Sequence, residues 1–400
     1  MARGSRPQPP SFRASRQPLL STLSSITGHL RTDQNWKDRL QFNEFHARPE
    51  ILNGHDVLEP IDDMHVIQAQ ERLQQEGFTK ATKETVRDAL TLVGSELAYH
   101  PIRDWLVGLK GKWDQIGRAD HWLVDCFGCE DTLYTRCIGR MFIIAMVARI
   151  MRPGCQADYM LVLEGSQGIQ KSRACRVLAG EDAFDDNLRL DDPVRTSMAL
   201  RGKWLLEVSE MDAFKGKSMD MLKAFVTRRV EHYTPKYSRS VVAEPRQCLF
   251  IGTQNGRFSY QDLSGARRFW PVEVGEIDPD RLAGMREQLF AEALALFEAG
   301  EQWWPDAGME EQHIRPVQED RREAEAWVEK IDQWLHGTGS PAQPIMLMQV
   351  WTDCLGGSMD RYNQEISRRI ANALRLLGWE DKHTNKARLW SEKPIPGLGR

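Results

Sequence analysis

The fold of this chain is decided by one stretch, L-V-L-E-G-S-Q-G-I-Q-K-S, which runs from Leu161 to Ser172. Its apolar start predicts a β-strand, its two glycines predict a tight loop, and the residues that follow predict a helix. This order, with Lys-Ser where the helix begins, is typical of a nucleotide phosphate-binding loop (P-loop). Backbone N–H groups and the helix N-terminus surround the phosphates, Lys171 contacts the β- and γ-phosphate oxygens, and the Ser172 hydroxyl helps to hold Mg²⁺.

The loop departs from the usual pattern at one position, because Gln170 stands where glycine is expected. Its side chain could crowd the phosphates, or its backbone could fail to take the glycine conformation. The pattern therefore predicts an ATP site with Ser172 as a Mg²⁺ ligand, and it leaves open whether hydrolysis is impaired. The candidate ATP-binding residues are Gly165, Ser166, Gln167, Gly168, Ile169, Gln170, Lys171 and Ser172.

Composition indicates a soluble protein with a substantial core. The chain has 400 residues, of which 41% are hydrophobic and 28% charged. Its net charge of −4 means that any nucleic-acid surface must be local. The longest apolar run, Met141–Ala148, is too short for a membrane span. Seven cysteines, an odd number, favour reduced thiols and a cytoplasmic location over a disulfide framework. A zinc site around Cys126 and Cys129 is a less favoured alternative, because no second pair stands at the required spacing.

The order of periodic segments predicts an α/β fold. After residue 150, helical segments alternate with short β-type runs, which favours a parallel sheet with covering helices. These runs are Met160–Leu163, Trp204–Val208, Cys248–Gly252 and Phe269–Val274. A helical region precedes this core, and an apolar helix is predicted within it over Thr135–Met151. After the core, a helix followed by a possible hairpin suggests a small winged-helix-like domain. The predicted divisions are a disordered basic tail over 1–35, an α-helical region over 36–150, a P-loop core over 151–335, a linker over 336–344 and the winged-helix-like domain over 345–400.

Two further strand ends carry polar residues suited to hydrolysis. The segment Lys203–Asp212 is a strand that ends in acidic residues, and Glu210 at its tip is the candidate water-activating carboxylate and a second Mg²⁺ ligand. Glu207 lies inside the same run. Alternatively, the acidic residues only begin the next helix. Asn255 ends a later strand and is the candidate γ-phosphate sensor, although a turn residue would need no such role.

Basic residues suggest two other functions. Arg267 and Arg268 precede a strand-like run, and a guanidinium reaching the γ-phosphate of a neighbouring subunit would stabilise the transition state. The alternative is a pair of surface arginines. Between residues 215 and 246, eight Lys and Arg residues stand against three acidic ones. Basic side chains mixed with aromatic ones suit single-stranded DNA, although a charged run is more often a solvated face. The candidate DNA-binding residues are Arg228, Arg229, Lys236, Tyr237 and Arg239.

The order of these motifs resembles the virulence-associated protein E family, ATPases of phages and mobile elements related to superfamily-three helicases. The similarity is carried by G-S-Q-G-I-Q-K-S at 165–172, the acidic strand at 202–212, I-G-T-Q-N at 251–255 and G-A-R-R-F-W-P-V at 265–272. The resemblance implies ATP-driven unwinding or remodelling of DNA by a homo-oligomeric ring, in the replication of a mobile element. It assigns the roles given above to Lys171, Glu210, Asn255 and the two arginines.

Longer relatives carry a primase-like domain ahead of the helical region, and we expect no primer synthesis by this chain. The preferred function is an ATP-dependent, helicase-like DNA motor. The alternatives are a hydrolysis-impaired DNA-binding or initiator protein, which Gln170 motivates, and an ATPase that remodels protein partners.

Overall fold

The computed structural model describes residues 18–392 except 189, 191, 212–216, 235–239, 259–265, 338–340, 342 and 384–387. The chain divides into two units between Trp105 and Leu106. None of the helices in the described part combines the length and the apolar character that crossing a membrane requires.

The N-terminal unit is a four-stranded sheet covered by helices. Its strands are β1 (Leu40–Asn43), β2 (Arg48–Leu52), β3 (Leu58–Pro60) and β4 (Ala98–Tyr99), in the order β3-β2-β1-β4. Strand β1 pairs antiparallel with β2 and parallel with β4. The helices are α1 (Leu23–Leu30), α2 (Asp63–Gln75), α3 (Lys83–Gly94) and α4 (Pro101–Gly108), the last of which crosses the division between the units.

This unit differs from the sequence prediction in two respects. The region 36–150 was predicted to be helical, but it contains this sheet as well as helices. Within the predicted tail at 1–35, α1 is an ordered helix whose Ile26 and Leu30 are buried. Two features stabilise α1. Thr22 caps its N-terminus, and its apolar side chains share a core with α2 and α3.

The second unit is built on a five-stranded, all-parallel sheet, which confirms the predicted α/β class. Its strands are β5 (Met160–Gly165), β6 (Phe184–Asp185), β7 (Leu205–Val208), β10 (Leu249–Asn255) and β11 (Phe269–Glu273). They lie in the order β11-β5-β10-β7-β6. A separate antiparallel hairpin, β8 (Val230–Tyr233) with β9 (Val242–Pro245), stands between β7 and β10 in sequence.

The strands are apolar because helices cover both faces of the sheet, as parallel sheets require. The helices of this part are α5 (Trp122–Phe127), α6 (Leu133–Met151), α7 (Lys171–Ala179), α8 (Pro193–Ala199), α9 (Lys217–Val226) and α10 (Pro279–Glu298). On one face, alternate residues of β5, β7 and β10 pack against apolar side chains of α9, including Leu222 and Phe225. The indole N–H of Trp204 donates to the Met146 carbonyl of α6, and the Trp204 ring contacts Phe290 of α10.

The Cys-Phe-Gly-Cys segment at 126–129 makes a close crossing of two backbone segments. Gly275 donates its N–H to the Phe127 carbonyl at 2.9 Å, and a Cβ on Gly128 would lie 2.8 Å from backbone atoms of Glu276. Gly128 also has a φ of +61°, which favours glycine. Burial raises the pKa of the Cys126 thiol to about 11 and that of Cys129 to about 12. The segment therefore serves packing through its glycine and buried thiols.

A third core lies at the C-terminal end of this unit. The elements are α11 (Ala307–Met309), α12 (Arg315–His336), α13 (Leu347–Gln349) and α14 (Gln364–Leu376), followed by the hairpin β12 (Trp379–His383) and β13 (Arg388–Glu392). Two π-helical segments, Glu310–Ile314 and Val350–Cys354, precede α12 and follow α13. Ile331 and Leu335 of α12 pack in the same cluster as Ile370 and Leu374 of α14. The division predicted at 335/336 therefore falls at the end of a helix that belongs to this core.

Candidate functional site

The sheet order brings three of the predicted site segments, those that follow or end β5, β7 and β10, to one edge of the sheet. Parallel strands end at the same edge of a sheet, and β10 lies between β5 and β7. Asn255, the last residue of β10, pairs in register with Gly165, the last residue of β5. The loop 166–170, which we call the glycine loop, follows β5 and leads into α7. The loop, the tip of β10 and the tip of β7 are therefore neighbours.

Lys171 begins α7 and its side chain turns back into the glycine loop. Its ammonium donates hydrogen bonds to the carbonyl oxygens of Gly165 and Ser166, each at 2.8 Å. Burial lowers the pKa of this ammonium below its ordinary value, and the nearby Glu207 carboxylate opposes that shift. The lysine is thus held at the loop in a partly desolvated position, where an anion would strengthen its charged form.

Gln170 adopts the backbone conformation that glycine would take. Its φ is +68° and its ψ is +24°, in the left-handed region. The strain of roughly 1–2 kcal/mol that a side chain causes there is accepted in the fold. Arg173 donates to the Gln170 side-chain oxygen at 2.7 Å and also pairs with Asp280 at 2.7 Å. The substitution therefore preserves the loop geometry, and its side chain is bound to the first turn of α7.

Gly165 is needed for close packing at the start of the loop. A Cβ at this position would lie 2.8 Å from side-chain atoms of both Ile169 and Val274 and 3.1 Å from the Val274 carbonyl oxygen. The backbone N–H of Val274 also donates to the Glu164 carbonyl at 2.8 Å. Any larger residue would push the glycine loop away from the end of β11.

Glu207 joins the glycine-loop helix to the two neighbouring strands. It lies within β7, is 2% exposed, and accepts hydrogen bonds at Oε1 from the Ser172 hydroxyl at 2.9 Å and the Thr253 hydroxyl at 2.6 Å. Its Oε2 is buried and accepts a hydrogen bond from no described residue. A buried carboxylate with an unsatisfied oxygen beside a serine hydroxyl offers the hard oxygen ligands that Mg²⁺ prefers.

The sequence pattern places Glu207 inside the acidic strand but does not single it out as a site residue. The available signal was an ionisable residue inside a strand that is otherwise Leu205, Leu206 and Val208. A carboxylate is rarely buried without partners. Those partners are 35 and 46 residues away in sequence, so only the fold identifies them.

Glu210 and Asn255 stand at neighbouring strand tips. Glu210 follows β7 by two residues, is exposed, and has a φ of +53°, which is uncommon for a non-glycine residue. Asn255 is exposed at the end of β10. Both side chains are therefore open to a ligand at this edge, and their catalytic roles remain predictions. Asp212, which follows Glu210, lies outside the described residues.

Arg267 and Arg268 lie at the opposite edge of the sheet. They form a short 3₁₀ turn, Ala266–Arg268, directly before β11, and the first residue of β11 pairs with Met160 at the start of β5. A strand of six residues spans roughly 17 Å at about 3.3 Å per residue. Their position does not suit contact with the glycine loop of the same chain, and a role toward another chain stays a prediction.

The basic segment at 215–246 contains the hairpin β8–β9, but part of its positive charge is paired within the protein. Arg246 is fully buried and donates to Glu231 at 2.5 Å, and Lys223 is buried beside Asp220. Arg229 donates to the Gly154 carbonyl at 2.7 Å. Arg228 is exposed and lies 3.6 Å from Glu231. Three of the predicted DNA-binding residues, Lys236, Tyr237 and Arg239, lie outside the described residues.

One other described cluster has a donor set that could hold a metal ion, in the N-terminal unit. His29, Asp33 and Glu76 place one donor atom each within 4.8 Å of the others. The Arg72 guanidinium already donates to Glu76 at 3.1 Å, and His29 lies 2.7 Å from the same carboxylate. These contacts explain the cluster as an ion-pair group.

Comparisons with known proteins place this geometry in a family. No curated protein sequence matches the chain significantly. Among solved structures, the chain matches two apo structures of the NrS-1 C-terminal region. The A form is 13% identical with a TM-score of 0.43, over 93% of this chain and 99% of that one. The other is 14% identical with a TM-score of 0.42, over 88% and 94%. Residues 106–323 match the Virulence-associated protein E-like domain. Because this match covers more than half of the chain, the protein belongs to the virulence-associated protein E-like family.

Proposed function

We propose that the chain is a P-loop ATPase that uses Mg²⁺ and couples hydrolysis to the remodelling of DNA, as a helicase-like motor in the replication of a phage or mobile element. The observation that carries the proposal is that the Glu207 carboxylate accepts hydrogen bonds from the hydroxyls of both Ser172 and Thr253, beside the Lys171 loop. It joins the phosphate-loop helix, the acidic strand and the sensor strand in one buried arrangement. Membership of the virulence-associated protein E-like family supports the same reading.

The residues present fit ATP and Mg²⁺. The glycine loop and the first turn of α7 supply backbone N–H groups for phosphates. We assign the Mg²⁺ site to Ser172 and Glu207 in place of Glu210, the second ligand expected from the sequence, because Glu207 accepts a hydrogen bond from Ser172 and its Oε2 has no described donor. Mg²⁺, when bound, neutralises charge on the phosphates. Lys171 would contact the phosphate oxygens, and Glu210, whose side chain is exposed, would accept a proton from the attacking water. Asn255 could orient that water, because it ends the strand paired with Gly165.

The DNA part of the proposal rests on the hairpin and the C-terminal segment. The hairpin β8–β9 lies in sequence between the acidic strand β7 and the sensor strand β10, so the chain connects it to both strands that end at the site. The helix α14 followed by the β12–β13 hairpin supports the winged-helix-like prediction, and Arg368 and Arg375 of α14 are exposed. We propose that assembly as a homo-oligomeric ring brings Arg267 or Arg268 to a neighbouring site.

The proposal is tested by ATP hydrolysis with and without single-stranded DNA. We expect the wild-type chain to hydrolyse ATP in the presence of Mg²⁺ and single-stranded DNA to raise the rate. Because phosphate contacts release counterions, this stimulation should weaken steeply as salt rises. ATP binding without hydrolysis at any DNA concentration would contradict the motor and favour the hydrolysis-impaired alternative. Hydrolysis that ignores DNA would favour an ATPase acting on protein partners.

Replacing Glu207 or Glu210 separates their two roles. We expect Glu207→Gln to lower turnover and to raise the Mg²⁺ concentration needed for half-maximal rate, because it removes the charged oxygen next to Ser172. Glu210→Gln should lower turnover on the order of 10²-fold or more, as loss of a general base does, without changing the Mg²⁺ requirement. Steady-state rates across a Mg²⁺ titration measure both effects. The assignment fails if the Mg²⁺ requirement shifts in the Glu210 variant instead.

A further inference from the structure

Glu164 forms a buried ion pair directly before the glycine loop. It is 2% exposed, and its carboxylate accepts hydrogen bonds from two nitrogens of the Arg321 guanidinium, at 2.7 Å and 3.3 Å. The same carboxylate accepts a hydrogen bond from the backbone N–H of Phe258 at 2.9 Å. A forked arginine contact of this kind fixes direction as well as distance.

The second contact of Glu164 holds the chain that follows Asn255. Phe258 comes three residues after Asn255, and Gly256 donates its N–H toward the Gly165 carbonyl at 3.4 Å. The register of β10 against β5 holds Asn255 from the other side. Asn255 is thus held on both sides: strand pairing with β5 holds the residues before it, and the hydrogen bond from Phe258 to Glu164 holds the residues after it.

Arg321 is held in place by the helix that carries it. One turn earlier on α12, the side chain of Gln318 donates to the Phe269 carbonyl at 2.9 Å. The neighbouring Asp320 pairs with Arg257, just before Phe258, and lies 3.6 Å from Arg369 of α14. Side-chain contacts therefore connect α12 to β11, to Arg257 and to α14. As a result, the guanidinium of Arg321 approaches Glu164 from a fixed direction.

A buried ion pair is a poor device for stability alone. The cost of removing both charges from water often equals or exceeds their attraction, and apolar side chains of similar size would serve at least as well. The forked contact supplies a defined position for Glu164, which apolar packing would not define as sharply. This position is the one from which Glu164 holds Phe258.

We propose that Arg321 and Glu164 are positioning residues for hydrolysis, which set the position of Asn255 relative to the glycine loop. The inference rests on the proposed ATPase function. Arg321 does not touch the nucleotide in this account, so it should affect the chemical step more than the binding of ATP. A misplacement of about 1 Å in a reacting group can lower a rate about 10²-fold.

The test is Arg321→Met in the full-length chain. We expect kcat to fall by about 10–100-fold, with KM for ATP within about threefold of wild type. Arg321→Lys should give a smaller loss, because a lysine retains the charge without the fork. The matched control is Arg315→Met, on the same helix, where the arginine is exposed and lies 3.6 Å from the exposed Glu311. That control should keep the wild-type kcat.

A second readout reports the geometry without any turnover. Hydrogen exchange of the Phe258 amide should become faster by about tenfold in Arg321→Met, since its acceptor is no longer held. If Arg321→Met does not fold, Glu164→Gln carries the test, and it should lower kcat by a smaller factor while the protein stays folded. Wild-type kcat in the folded Arg321→Met or Glu164→Gln variant would overturn the inference.

Failure of the proposed function is a separate outcome. If the wild-type chain hydrolyses no ATP, that proposal fails, and the exchange rate of the Phe258 amide then decides whether Arg321 holds this segment. Unchanged exchange in Arg321→Met would overturn the positioning role as well.

Discussion

Replacement of Lys171 by alanine is expected to abolish measurable ATP turnover. The ammonium is held at the glycine loop by the carbonyls of Gly165 and Ser166. In the proposed function it would contact the phosphates of ATP. Removing one preorganised donor from a site where negative charge develops costs about 10²–10³-fold in rate. Here the loss should be at the upper end, because the same group also contributes to binding. Steady-state hydrolysis with a nucleotide-binding assay measures the two effects separately.

The chain offers a matched control for this variant. Lys203 also donates from its ammonium to two backbone carbonyls, those of Asp182 at 3.0 Å and Phe184 at 2.9 Å, but it lies outside the site. Lys203→Ala should lose those contacts and keep wild-type turnover. If both lysine variants lost turnover to the same degree, the effect of Lys171→Ala would be structural. Full turnover in Lys171→Ala would contradict the phosphate-loop assignment.

Replacement of Arg246 by methionine should destabilise the second unit by about 3–5 kcal/mol, because it leaves a buried carboxylate without its main partner. Arg246 donates to Glu231 at 2.5 Å and to the Phe225 carbonyl at 2.5 Å, and its guanidinium lies 4.3 Å from the Phe225 ring. Glu231 keeps only the hydroxyl of Ser197, at 2.6 Å, as a strong partner. The free energy of unfolding in urea at pH 7 measures the loss.

Arg228→Met provides the control, because Arg228 lies 3.6 Å from the same Glu231 but is exposed. The free energy of unfolding of that variant should fall by no more than about 1 kcal/mol. An equal loss in both variants would contradict the importance of burial for this pair.

The stability that the Arg246–Glu231 pair contributes should also depend on pH. Burial alone would raise the pKa of Glu231, but Arg246 and Ser197 outweigh it, so the pKa is lowered below its usual 4.5. A carboxylate whose pKa is lower in the folded state stabilises the folded protein at pH values above its unfolded-state pKa. This stabilisation is lost as the pH falls through the folded-state pKa. The difference between wild type and Arg246→Met should therefore be full at pH 7 and shrink below pH 4.5.

The sequence predicted four of the five strands of the parallel sheet, because each of these four is an apolar run that can be recognised locally, whereas β6 has only two residues. Apolar runs beginning near Met160, Trp204, Cys248 and Phe269 became β5, β7, β10 and β11 with small shifts at their ends. The helix predicted over Thr135–Met151 became α6. Strands buried on both faces read as continuous apolar runs, which is why these four could be recognised without a structure.

The rest depended on contacts that a linear pattern does not show. The strands of the N-terminal unit are short, and β2 contains a proline, so their periodicity is weak. Glu207 becomes a site residue only because the fold brings Ser172 and Thr253 to it. The count of basic residues at 215–246 overstated the surface charge, since Arg246 and Lys223 are buried in pairs with acidic side chains.

The left-handed backbone of Gln170 has a consequence for how such loops can vary among proteins. What the loop requires at this place is a torsion angle, and glycine is only the residue that reaches it with least strain. Asparagine and aspartate are the next best tolerated in that region, whereas β-branched residues are excluded. A search that demands the letter G would pass over this chain. One that asks for a residue able to turn left-handed between Gly168 and Lys171 would find it.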